Sequence, residues 1–196
     1  CTSALAAFSP AFRGWFSLQW QALTGRELSE SQTQTIDSLT QPAGESVTVN
    51  GVSVTVDSIT AGHDNLWVAV TVTGAEFSPG KEYGFRSAGF TVELPDQTGS
   101  SATEFTFAAP DEDGSLRLML YCSAVLPDGV QFTDGSYTIG LAFTDLIEHT
   151  DSSLPAETIQ AGVWDLCASL SAGEAAPAIT IDRRQVYIEI PETPEV

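Results

Sequence analysis

Two histidines, three cysteines and 26 carboxylates are the side chains of this sequence with the chemistry for acid–base, nucleophilic or metal-binding work. His63 and His149 each stand in a polar, turn-like stretch, with no partner at the spacing of a zinc site or a catalytic dyad. They read as solvated loop residues. Cys1, Cys122 and Cys167 lie far apart and none belongs to a CxxC pair. Cys122 and Cys167 fall in the apolar runs LMLYCSAVL and GVWDLCASL, where a cysteine most often serves as a small buried apolar residue. A disulfide between them is the alternative that an oxidising compartment permits. Asp111 and Asp113 before Gly114 look like the start of a calcium loop, but the later ligands and the closing glutamate are missing, which leaves an acidic turn. GxSxG, HExxH, GxGxxG and phosphate-loop motifs are absent. Glycosidase carboxylates meet in space rather than in sequence, so among so many acids no pair stands out. The expectation is a chain without catalytic residue, cofactor or metal.

Binding is the chemistry left. Seven Lys and Arg against 26 Asp and Glu give a formal net charge of −19, a field that repels phosphate backbones and excludes nucleic acid as a partner. The bland reading of this acidity is a well-solvated surface; the sharper one is a preference for cations or basic partners. Two places suit a contact surface: the aromatic pair Trp15 and Trp20, and the polar loop His63, Asp64 and Asn65.

The elements that must position these residues can be read from periodicity. Ser9 can cap a helix and Pro10 suits its first position. Phe12, Trp15, Phe16, Trp20 and Leu23 then recur at helical spacing until Thr24-Gly25 stops them. The aromatic face either packs on the rest of the domain or lies against a membrane. The polar side, with Arg13, Ser17 and Gln21, has too few cations for a strong interfacial anchor. Residues 1–8, CTSALAAF, are apolar but far short of the about 20 residues a bilayer requires. They read as the outer end of a membrane helix, or as a lipid-carrying Cys1 left by signal cleavage.

From about residue 31 the chain turns to short β segments. In VTVNGVSVTV (47–56) alternating valines flank Asn50-Gly51, a dipeptide that tolerates the positive φ of a two-residue hairpin turn. Strands are predicted at 66–74, 88–95, 102–110, 115–126, 136–146, 162–170 and 178–190, separated by Gly, Pro, Asp and Asn clusters. Trp67 and Trp164 fall within strands and read as core. The fold class is mainly β: an antiparallel immunoglobulin-like β-sandwich of about eight or nine strands with an N-terminal amphipathic helix, a closed barrel being the alternative. The chain divides into a juxtamembrane apolar end and helix (1–30), the sandwich (31–190) and an acidic, proline-containing tail or linker (191–196).

Several segments carry a resemblance. The order of an apolar end, FSPAF (8–12), an aromatic helix and TIDSLTQPAGESVTVNGVSVTVDSITAGHDNLWVAVTVTG (35–74), with the late YTIGLAFTDL (137–146) and GVWDLCASL (162–170), resembles a family of unknown function. That family forms the extracytoplasmic part of single-pass, anti-sigma-factor-like membrane proteins of Gram-positive bacteria. Its proline-and-phenylalanine segment is matched here by Pro10 with Phe12, and its late Gly-x-Trp strand by Gly162 with Trp164. The likeness spans roughly residues 8–170 and brings no catalytic residue with it. It implies a domain on the outer face of the cell membrane, anchored through a segment before residue 1, that passes a signal to a cytoplasmic part holding a sigma factor.

Two function classes follow. One is a non-catalytic extracytoplasmic sensing or binding domain whose partner is an envelope ligand or protein. The other is a structural or adhesive immunoglobulin-like module of a surface protein or lipoprotein.

Overall fold

The computed structural model describes residues 40–94, 97–99, 101–127, 130–133, 135–149 and 156–171, together with Ser17, Gln21, Gly25, Glu27, Ser29, Glu30 and Gln34. The strands are β1 (Thr40–Val49), β2 (Val52–Ala61), β3 (Asn65–Thr73), β4 (Tyr83–Leu94), β5 (Gln97–Gly99), β6 (Ser101–Phe105), β7 (Leu116–Ala124), β8 (Ser136–Glu148) and β9 (Glu157–Ser171). All pairings are antiparallel. Among the described residues they form two sheets, β1-β2-β3-β7-β6 and β5-β4-β8-β9, rather than a closed barrel.

The Asn50-Gly51 hairpin forms as its sequence demands. Val49 faces Val52, and the two turn residues take φ of 52° and 85°, the doubly positive geometry that matches strand twist. At the far end of β3, Gly74 (φ 84°) passes so close that a Cβ there would lie 2.2 Å from the Gly51 carbonyl oxygen. β1 starts at Thr40, later than the expected change near residue 31, because Glu30 and Gln34 are helical. A register shift between Val56 and Ser58 makes Asp57 the extra residue of β2.

Alternation along the strands builds one core between the sheets. Val52, Val54 and Val56 of β2 and Leu66, Val68, Val70 and Val72 of β3 are buried against Trp164, Leu166, Ala168 and Leu170 of β9. Trp164 is fully buried, 5.8 Å from the Phe85 ring, and its Nε1–H donates to the Val52 carbonyl at 2.9 Å, a bond from one sheet to the other. Each large side chain buried this way contributes about 1.5–3 kcal/mol.

Several expectations change here. Trp67 is not in the core: with Leu66 and Val68 inward, it must point outward, where its half-buried ring packs against Tyr121 at 4.8 Å, the two planes tilted by 54°. Cys122 is buried on the inner face of β7 whereas Cys167 is exposed on the outer face of β9, so the two thiols are free and on different sheets. The stretch expected as a turn near 95–101 contains β5. Of the expected helix, Ser17 and Gln21 are helical, and Gly25 (φ 67°) donates its N–H to the Gln21 carbonyl at 2.8 Å. The rest of that helix, the strand expected at 178–190 and the tail 191–196 lie outside the described residues. Among the described residues no helix is long and apolar enough to cross a membrane.

The antiparallel order gives the sandwich two poles. At one, called proximal below, Thr40 pairs with Thr60, β2 turns into β3, β7 ends, and Ser136 pairs with Ser171. Gln41 closes it: its side-chain amide is held by Ser171, Nε2 donating to the Ser171 carbonyl and Oε1 accepting from the Ser171 N–H at 3.0 Å. The distal pole carries the Asn50-Gly51 turn, the 74–82 loop, the 106–115 connection and the end of β8.

Candidate functional site

The loop His63, Asp64 and Asn65 lies at the proximal pole, and its backbone is bound into the fold. The His63 carbonyl accepts from the Phe132 N–H at 3.0 Å, the Asp64 carbonyl from the Ala124 N–H at 3.0 Å, and the Asn65 carbonyl from the Gly62 N–H at 2.8 Å. Asn65 Nδ2 donates to Asp64 Oδ1 at 3.1 Å, and Asn65 Oδ1 is buried without a hydrogen-bond partner. Gly62 has no room for a side chain, since a Cβ would sit 2.3 Å from that oxygen. Asp64 and Asn65 therefore brace the turn, and only His63 is presented to solvent. Val125, 80% exposed, follows directly on Ala124, to which this loop is bonded. Trp15 and Trp20, the other expected contact residues, lie outside the described residues.

The distal pole holds a polar cluster that sequence reading missed. Lys81 Nζ pairs with Glu148 Oε1, which raises the lysine pKa, first through the hydrogen bond and then through the charge. The other Glu148 oxygen lies 3.5 Å from the Tyr83 hydroxyl, which accepts the Ser78 N–H at 2.8 Å. His149 packs on Phe107 at 4.5 Å and donates its backbone N–H to the Glu82 carbonyl. Tyr83 and Glu148 are register partners across β4 and β8 but stand far apart in the chain, so no local motif could have announced them.

The acidic turn is likewise internally bonded. Asp111 takes Arg117 as a bidentate partner, at 2.6 Å from Nε and 2.9 Å from Nη2, which holds the guanidinium pKa up. Asp113 accepts from the Ser115 hydroxyl at 2.7 Å and its N–H at 2.9 Å, which lowers its pKa. On the outer face of the larger sheet, burial raises the Asp57 pKa, opposed by the Thr71 hydroxyl at 2.6 Å and the charge of Arg117.

These carboxylates brace loops against their own chain. The Cys122 thiol, pushed up to about 12 by burial, stays protonated at neutral pH, where a nucleophile would have to be thiolate. Among the described residues no three His, Cys, Asp or Glu side chains converge to hold a metal ion. What the described surface offers is contact: an exposed His63 beside Val125 at one pole, and acid-rich loops at the other. No protein-family model, curated protein or solved structure matches the chain.

Proposed function

We propose that this chain is a non-catalytic, extracytoplasmic sensing or binding domain of a membrane-anchored regulator resembling an anti-sigma factor, built as an immunoglobulin-like sandwich. The strand order supports the fold. β2-β3-β7-β6 against β5-β4-β8-β9 corresponds to the A-B-E-D and C′-C-F-G sheets of that architecture, with β1 added beyond strand A.

The observation that carries the role is the joining of the start of β1 to the end of β9 at one pole, through Gln41 and Ser171. The start of β1 and the end of β9 lie side by side, held by the reciprocal Gln41–Ser171 bonds. A domain connected through that pole projects its distal loops away from the connection, where a scaffold of this kind presents contact residues. Glu76, Glu82, Glu112 and Asp113 are exposed on those loops, which favours a partner that is neutral or basic over an anionic one.

The test is to isolate the intact gene product from its native membranes after treating whole cells with protease. The expected result is digestion of this domain from outside the cell and recovery of a sigma factor with the protected remainder. Digestion from outside with no sigma factor recovered, together with loss of cell adhesion on deleting the domain, would replace the regulator with a structural or adhesive module.

A further inference from the structure

The outward face of the five-stranded sheet is buried where a sandwich ordinarily meets water. Two rows of register partners cross it near the proximal pole: Thr40, Thr60, Trp67, Tyr121 and Glu104, then Pro42, Ser58, Ala69 and Met119. Ser58, Thr60, Ala69 and Met119 are only 3, 6, 4 and 2% exposed, although Ala69 and Met119 are not members of the core cluster between the sheets. Towards the distal pole the same face turns polar, with Thr48, Ser53, Thr55, Ser46 and Thr71 joined by cross-strand hydroxyl bonds or bonded to Asp57. In the proximal half Ser58, Thr60, Ala69 and Met119 are buried and Trp67 and Tyr121 half-buried, while Pro42 and Glu104 towards the sheet edges are exposed.

We propose that the aromatic face of residues 12–23 docks on this half of the sheet, over Ala69, Met119 and the Trp67–Tyr121 pair. The chain enters the sandwich at Thr40, the first member of the buried row, whose hydroxyl bonds that of Thr60 at 2.7 Å. With Glu30 and Gln34 helical, the stretch from Gly25 to Thr40 reaches at most roughly 40 Å, still more than the roughly 20 Å width of a five-strand sheet, which leaves length enough to return over the face. Phe12, Trp15, Phe16, Trp20 and Leu23 recur at the spacing of one apolar helix stripe. On the other side of that helix Gln21 is exposed and Ser17 half-buried, and Gly25 closes the last turn on Gln21, the orientation expected of a helix whose polar side faces water. Docking makes the upstream chain a rigid attachment instead of a loose tether, so displacement of that chain is felt directly at β3 and β7.

Met119 is the single methionine of the sequence, so methyl-¹³C methionine labelling of the full chain gives one resonance that reports on this face. The expected result is nuclear Overhauser contact from the Met119 methyl to ring protons that vanish in Trp15→Leu or Trp20→Leu. Relaxation of that methyl by a soluble gadolinium chelate should rise several-fold in the double variant, with unchanged near-ultraviolet circular dichroism showing an intact core. Absence of any contact to Trp15, Phe16 or Trp20 in the unmodified chain overturns the proposal without need of a variant. It is also overturned if Met119 stays equally shielded in the double variant, which would mean that the sheet's own side chains cover it. Shielding lost from the unmodified chain on dilution would assign the face to a second copy instead.

Discussion

Replacing Trp164 by alanine tests the packing logic at its centre. The indole is fully buried between Phe85 and the Gly162 backbone, where a Cβ on Gly162 would sit 3.1 Å from Trp164 Cη2 and 3.2 Å from Val49 Cγ1, and its N–H reaches the Val52 carbonyl. Truncation leaves a large cavity whose walls belong to both sheets and cannot close on it, at a cost of about 3–5 kcal/mol. About 1 kcal/mol of that reflects the lost hydrogen bond. Against a typical total of about 5–15 kcal/mol this is a large share, and for a domain of this size it corresponds to a fall in Tm of roughly 6–20 °C. Thermal unfolding followed by far-ultraviolet circular dichroism reads it, with urea titration checking that the slope is unchanged. Trp67→Ala is the control: an outward ring paired with Tyr121, whose pairing is worth about 0.5–1.5 kcal/mol beyond its buried area. A Trp164→Ala variant melting within about 3 °C of the parent, or a larger loss from Trp67→Ala, would refute the assignment of inner and outer faces.

Asp57 and the two described cysteines give independent checks. Burial raises the Asp57 pKa above its ordinary 3.8, so the folded state holds that proton more tightly than the unfolded chain. Its contribution is fully present below pH 3.8 and is lost as pH rises through the folded pKa. Asp57→Asn, which still offers Thr71 an acceptor, is therefore expected to be more stable than the parent at neutral pH and equal to it near pH 3; a variant less stable at pH 7 would show that the Arg117 attraction outweighs burial. In a Cys1→Ser background, a thiol reagent is expected to modify Cys167 in the folded protein and Cys122 only on unfolding. Failure of Cys167 to react in the folded state would contradict the outward register of β9.

Much of the fold is legible in local pattern. Asn50-Gly51 between alternating valines specifies its hairpin because positive φ at two successive residues is cheap for that dipeptide and costly for most others. GVWDLCASL carries its own inside and outside: Trp164, Leu166, Ala168 and Leu170 alternate with Asp165, Cys167 and Ser169, and attention to that polar stripe assigns Cys167 to solvent. β3 is harder. Both stripes of LWVAVTVT are apolar near its start, so the orientation of Trp67 depends on pairing with β2 and β7, which the strand does not encode. The contact loop at 63–65 was identifiable as a polar turn, but not that its carbonyls hold Ala124 and Phe132.

The β character, the hairpin, the apolar stripes and the acidic surface are written in short stretches of chain, because propensity, period and charge are properties of neighbouring residues. That Thr40 and Ser171 share a pole, that Lys81, Tyr83 and Glu148 meet, and that Ala69 and Met119 are buried on an outward face emerges with the folded sheets. Those relations come from strand order and register between residues far apart in the chain. They are selected by the joint burial of both sheets, and no local window contains that free energy.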